Sequence, residues 1–166
     1  MIHSGINIYM TLMLAQVYLR AGDERFHPLL AKAAGLASPT GQWPEAIHPH
    51  TLGGCMGDGQ HGWAAAEWVM LMRHLFVFEE GERLVIGRGI RRPWLESGEP
   101  LSFGPTLTPF GKVTVSIHPQ DRLEVRLAAQ WYGARRPEVV VAIPGFGCQA
   151  MGEPDWRCQL EPHVGP

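Results

Sequence analysis

Cysteine is scarce in this sequence of 166 residues. The three that occur are Cys55, Cys148 and Cys158. This number and spacing do not match the disulfide frameworks that hold small secreted domains together. We therefore expect a reduced, cytoplasmic setting.

The sequence also lacks any block of basic residues and any long apolar run. The net charge is -2, so neither nucleic acid nor an anionic membrane surface is expected as a partner. The apolar segment 6–19 is interrupted by Asn7, Thr11 and Gln16. It is too short and too polar to span a bilayer, and it lacks the basic start and cleavage site of a signal peptide.

The composition that remains is typical of globular proteins, with 45% hydrophobic and 18% charged residues. Periodicity predicts three helices, over residues 5–20 with Ser4 as the cap, 23–35 and 61–78. The first is apolar almost all round, a pattern typical of helices buried in larger proteins. We therefore expect a piece of a longer protein. The uncovered face of its first helix, with Ile6, Met10, Leu14 and Tyr18, is expected to promote self-association.

After Gly81 the period of the apolar residues changes to two. Strands are predicted over residues 83–87, 101–103, 111–118, 122–131 and 138–143, with a turn at residues 119–121. The expected organisation is helical over residues 1–80, an antiparallel β module over 81–145, and an irregular tail over 146–166.

The segment 42–60 is rich in Gly and Pro and leads into the third helix. Long loops of this kind often carry functional residues. Glu45 follows Trp43 and Pro44 there. A carboxylate beside an aromatic ring suits carbohydrate, because the ring stacks on the C–H face of a sugar and the carboxylate binds hydroxyls or activates water. The alternative is that Glu45 only stabilises a turn.

Asp58 lies between two glycines, which permit close approach of a ligand. It also suits the N-cap of the third helix, and the two roles are compatible. A metal set is conceivable from His48, His50, Cys55 and His61. Because their spacing matches no standard zinc pattern, we expect neither metal nor cofactor and interpret the histidines as hydrogen-bonding or sugar-binding groups.

Glu67 lies inside the third helix, which is rich in Ala and Trp. A glutamate in that setting is predicted to be a buried structural acid. Trp63 and Trp68 are interpreted as core residues rather than as ligand platforms.

The order of these segments resembles the C-terminal end of six-hairpin glycosidases, the (α/α)6-barrel superfamily of glucoamylases, glycogen-debranching-type glucosidases and sugar phosphorylases. The matching pieces are the helical hairpin, Trp-Pro-Glu at 43–45, Trp-Ala-Ala-Ala-Glu-Trp at 63–68, Ile-Gly-Arg-Gly-Ile at 86–90, Pro-Trp-Leu at 93–95, and the segment 101–115. Together they extend over about residues 4–144.

The resemblance implies an α+β fold, with the last helices of an (α/α)6 toroid followed by a small antiparallel β module. It implies a glycoside hydrolase acting on α-linked glucosides, with Glu45 as the general base and the acid partner outside this chain, which would then be inactive alone. The residues expected to line the sugar site are Trp43, His48, Asp58 and His61. The alternatives are a phosphorylase fragment, a non-catalytic carbohydrate-binding piece and a structural fragment.

Overall fold

The computed structural model describes residues 5–120, 122–134, 136–147, 149–152 and 156–162. The chain divides into two compact units, Met1–Met72 and Arg73–Pro166, whereas the sequence placed a boundary near residue 80. Over the described ranges the structure contains four helices and ten strands, and the strands form three sheets.

Two helices open the first unit as a hairpin. Helix α1 spans Ile8–Ala21 and helix α2 spans Phe26–Gly35. Gly22 ends α1 in the left-handed region, with φ 71°, and its N–H donates to the carbonyl of Leu19 at 3.0 Å. Only glycine adopts that conformation at little cost, which explains why the helix stops there.

Helix α1 begins later than the sequence indicated. Ile6 forms an antiparallel bridge with Ile47, through N–H to carbonyl hydrogen bonds of 2.9 and 3.0 Å. A residue held in this extended pairing cannot belong to the first helical turn. Ser4, the expected cap, lies outside the described residues.

A short hairpin interrupts the loop after α2. Its strands are β1, Ala46–Ile47, and β2, Gly54–Met56. Helix α3 follows over Gly62–Phe76, and strand β3 continues directly from it over Val77–Glu80. The predicted site residues therefore lie before, within and after the hairpin, in a segment fixed by its pairing.

Two four-stranded sheets make up most of the second unit. One contains β3, β4 (Arg83–Ile86), β8 (Glu138–Val141) and β9 (Gln149–Met151), in the order β3-β4-β8-β9. The other contains β5 (Leu101–Leu107), β6 (Gly111–His118), β7 (Leu123–Trp131) and β10 (Arg157–Leu160), in the order β10-β7-β6-β5. A short helix α4, Arg92–Glu96, lies between β4 and β5 in sequence.

Buried and exposed side chains alternate along the strands of the second unit, and the buried ones form its core. Every second side chain is buried along β6 and over residues 123–127 of β7, and the register pairs Val115 with Leu127. The other sheet contributes Leu84, Ile86, Val139 and Val141 to the same core cluster. Period-two burial of apolar side chains on both sheets explains why this part of the chain forms strands rather than helices.

The predicted fold class, the end of an (α/α)6 toroid with a small antiparallel module, is wrong. In the described part of the chain, sheets dominate and helices are few. The second unit is not purely antiparallel either, because β4 pairs with β8 in parallel. The prediction failed because the sheets are completed by tertiary pairings, such as β9 with β8 and β10 with β7, that leave no pattern in the local sequence.

The expected irregular tail contains two strands instead. β9 pairs with β8, and β10 pairs with the edge of β7. Cys158 and Leu160 of β10 are buried in the core, and burial raises the pKa of the Cys158 thiol to about 11. A thiol protonated at neutral pH is a poor nucleophile, so Cys158 acts as a small core residue.

Helix α1 has an exposed apolar face. The sequence pointed to Ile6, Met10, Leu14 and Tyr18, whereas the structure exposes Met10, Met13, Leu14 and Val17 by 44–61%. Ile6 and Tyr18 are partly covered. Among the described helices, none is long and apolar enough to cross a membrane.

We expect the protein to self-associate through this apolar face, because contiguous exposed apolar surface favours association. Leu14→Lys should shift the protein toward monomer, since burying an unpaired ammonium group is costly. Sedimentation velocity over a range of concentrations measures the effect. Leu107→Lys, at an exposed apolar residue of the second unit, is the control and should leave association unchanged. A wild-type protein that stays monomeric throughout would contradict the prediction.

Candidate functional site

Glu45 lies immediately before β1, with its main chain held on two sides. Asn7 Nδ2 donates to the Glu45 carbonyl at 3.0 Å. Gly57 approaches so closely that a Cβ there would lie 3.1 Å from the Glu45 nitrogen. The side chain is half-buried, and its carboxylate has no hydrogen-bond or ion-pair partner within the described ranges. Glu45 thus has a fixed main chain, and its carboxylate makes no hydrogen bond or ion pair in the described part of the chain.

Trp43 occupies a core position rather than a surface platform. Only 3% of the residue is exposed. Its Nε1–H donates to the carbonyl of Ala33 at 2.9 Å, and its ring centroid lies 5.4 Å from that of Trp68. Because the ring is covered, Trp43 cannot stack on a ligand in the way the sequence suggested.

His48 and Asp58 stabilise turns. The Nδ1 atom of His48 accepts hydrogen bonds from the main-chain N–H groups of His50 and Thr51, both at 3.2 Å. Asp58 Oδ1 accepts from the N–H of Gln60 at 3.0 Å. These are local side-chain to main-chain bonds of the type that shape loops. Asp58 directly follows Gly57, the residue that approaches the main chain of Glu45.

His61 links the loop to helix α3. Its N–H donates to the carbonyl of Trp43 at 2.8 Å, and its own carbonyl accepts from Ala65 at 3.2 Å. Its ring centroid lies 5.1 Å from that of Tyr9 on α1. The Nδ1 atom is buried without a hydrogen-bond partner in the described part of the chain. Of the residues predicted to line the sugar site, Trp43 and His61 are therefore in contact through a main-chain hydrogen bond.

A second group of polar and aromatic side chains surrounds His61. Trp63 is 53% exposed, and its ring stacks on that of Tyr9, with centroids 4.7 Å apart and planes at 29°. The indole Nε1–H donates to Glu67 Oε1 at 3.2 Å, and Gln16 Nε2 donates to Glu67 Oε2 at 2.5 Å. We call Tyr9, Gln16, His61, Trp63 and Glu67 the Trp63 cluster.

Helical geometry explains how this cluster forms. Trp63 and Glu67 are four residues apart in α3, so they lie on one face. Tyr9 and Gln16 are seven residues apart, two turns along α1, and also share a face. The four-residue spacing was visible in the sequence. The contacts of Trp63 and Glu67 with α1 were not visible in the sequence, because they join residues on separate helices.

The Trp63 cluster presents an exposed aromatic face directly beside a carboxylate. Both oxygens of that carboxylate are held by N–H donors, so its position is fixed before any ligand arrives. Each carboxylate oxygen still has accepting capacity, and the Gln16 amide retains a carbonyl acceptor. The arrangement can therefore stack on an apolar surface and accept hydrogen bonds from the edge of the same ligand.

The residues considered as a metal set do not form one. Among the described residues, no group of three or more His, Cys, Asp and Glu side chains is arranged to hold a metal ion. The Nδ1 atom of His48 already accepts hydrogen bonds within its turn, and the centroid of its ring is 5.7 Å from that of His50.

Compared with known proteins, the chain matches no family model, no curated protein and no solved structure.

Proposed function

We propose that the first unit binds a saccharide at the Trp63 cluster. The observation that carries this proposal is the exposed Trp63 ring, stacked on Tyr9 and hydrogen-bonded to Glu67. A sugar has both surfaces that this cluster matches: an apolar C–H face and an edge of hydroxyl donors. The proposal agrees with the carbohydrate role that the sequence resemblance implies.

Preorganisation strengthens this interpretation. Stacking on Tyr9 restricts the Trp63 ring, and two hydrogen bonds restrict the Glu67 carboxylate. Side chains that are already ordered lose less entropy when a ligand binds. Indole rings also contribute a large contact area at low conformational cost, which is why they are frequent at binding sites.

A purely structural explanation fits Trp63 less well than it fits Trp43. A tryptophan that only fills the core is covered, as Trp43 is at 3% exposure. Trp63 instead leaves about half of its surface in water, although Tyr9 and Glu67 hold it in place. An aromatic side chain that is both ordered and exposed is the feature expected of a ligand platform.

Trp63→Ala is expected to weaken saccharide binding by about thirtyfold, since truncating a central aromatic contact costs about 2 kcal/mol. Titration calorimetry with malto-, cello- and chito-oligosaccharides measures the change. Trp63→Phe should bind with intermediate affinity because it keeps a ring but loses the bond to Glu67. Val69→Ala is the matched control, at a 64% exposed position of the same helix. Equal affinities of the wild-type and Trp63→Ala proteins would refute the site.

Glu45 supports a second candidate function, hydrolysis of the bound saccharide. Its carboxylate has no partner among the residues that the structure describes, while its main chain is fixed by Asn7 and Gly57. Asn7 lies two residues before Tyr9, and Trp43 accepts the N–H of His61. The segment with Asn7 and the segment with Trp43 therefore both link the main chain of Glu45 to residues of the Trp63 cluster. In this role Glu45 is the general base that activates water.

A further inference from the structure

A small cavity lies beside the Trp63 cluster. It has a volume of about 140 Å³ and is lined by Gln42, Trp43, Gln60, His61, Gly62 and Ala65. His61 belongs to both places, because it lines the cavity and its ring lies 5.1 Å from that of Tyr9. A ligand on the Tyr9–Trp63 rings is therefore adjacent to the residue that forms one cavity wall.

The volume limits what the cavity can hold. An apolar cavity of about 150 Å³ accepts a benzene molecule, whereas pockets that enclose a whole ligand measure about 300–1,000 Å³. At about 140 Å³, this cavity suits a substituent on a sugar rather than the sugar ring itself. A hydroxyl group would leave most of it empty.

The lining indicates the chemistry of that substituent. The lining contains three apolar or small residues, Trp43, Ala65 and Gly62. Gln42, Gln60 and His61 add amide and imidazole groups. Gln60 makes no side-chain hydrogen bond among the described residues, and His61 Nδ1 is buried without a partner there. No Lys or Arg among the described residues lines the cavity, which disfavours a carboxylate, sulfate or phosphate group.

We propose that the bound saccharide carries an acetamido group and that this group occupies the cavity. Its methyl packs against Trp43 and Ala65, and its N–H and carbonyl bond to the amide and imidazole groups of the lining. Rotation of the His61 ring about its Cβ–Cγ bond presents a nitrogen to the ligand and gives Nδ1 a hydrogen-bond partner. This inference rests on the proposed saccharide site and specifies its substrate class.

Titration calorimetry with chitotriose and cellotriose tests the inference, because these β-1,4-linked trimers differ only in having acetamido groups in place of hydroxyls. We expect wild type to bind chitotriose about tenfold more tightly, from one buried methyl group and the added hydrogen bonding. Ala65→Leu, which adds volume to the cavity lining, should reduce the ratio of the two affinities to about one. Gly62→Leu provides an independent filling variant, because residue 62 lines the cavity and a Cβ there meets no atom within 4 Å.

The outcomes separate this inference from the proposed function. Binding of neither trimer would refute the saccharide site and the cavity together. Equal affinity for both trimers in wild type would refute only the acetamido assignment. A chitotriose preference that survives both filling variants would also refute it, provided that circular dichroism shows the variants to be folded. Val69→Ala, the control variant outside the cavity, should keep the wild-type ratio.

Discussion

Gly111→Ala should abolish stable folding of the second unit or lower its free energy of unfolding by about 3 kcal/mol or more. A Cβ at residue 111 would lie 2.3 Å from the carbonyl oxygen of Gln130 and 2.8 Å from the Cα of Trp131. Both atoms are main chain on the neighbouring strand, so no side-chain rotation relieves the clash. Thr108 also bonds to the N–H and the carbonyl of Gly111, which prevents β6 from shifting away.

Urea unfolding followed by circular dichroism measures this loss. Gly133→Ala is the matched control, because a Cβ there meets nothing within 4 Å. That variant should keep the wild-type midpoint or exceed it slightly, since alanine reduces the entropy of the unfolded chain. If Gly111→Ala unfolds at the same urea concentration as wild type, the close pairing of β6 with β7 at this position is incorrect.

Glu45→Gln should lower the turnover of whichever malto-, cello- or chito-oligosaccharide the protein hydrolyses by about 10²–10⁴-fold, the usual contribution of a general base. The amide has the shape of the carboxylate, so the fold should be unchanged, but it cannot take a proton from water. The hydrogen bond from Asn7 goes to the main-chain carbonyl of Glu45 and therefore survives the substitution. Saccharide binding at the Trp63 cluster should survive as well.

The measurement compares hydrolysis by the wild-type and Glu45→Gln forms of the natural polypeptide that carries this sequence, with binding followed by calorimetry. Glu24→Gln, an exposed glutamate of the same unit, serves as the control. Equal turnover by wild type and Glu45→Gln would exclude Glu45 as the base and make Asp58 the next residue to replace. Saccharide binding without hydrolysis by wild type would leave binding as the function and remove Glu45 from catalysis.

Individual elements of the fold were more predictable than their assembly. Apolar alternation placed strands at β6 and β7, and helical periodicity placed α1 and α3 within a few residues. The sequence did not predict β9 or β10, because each has only three or four residues and little pattern of its own. Their strand conformation depends on pairing with β8 and β7, which is a tertiary effect.

The candidate site shows the same division. Glycine and proline identified the loop that carries Glu45, and that prediction needed only local chemistry. The interpretation of Trp63 as a core residue failed because exposure depends on what covers a helix face, which local sequence does not specify. The contact between Gln16 and Glu67 joins residues 51 positions apart, so no local pattern could have revealed the Trp63 cluster.

The parallel pairing of β4 with β8 has a consequence for synthesis of the protein. Arg83 pairs with Glu138, 55 residues later. At about 5–20 residues per second, the ribosome needs roughly 3–11 s to make that intervening segment. During this interval β3 and β4 can form their hairpin, but the N–H and carbonyl groups on the side of β4 that later pairs with β8 have no strand partner. Such an edge recruits strands from other chains, so the nascent second unit is most vulnerable to aggregation until residue 141 emerges.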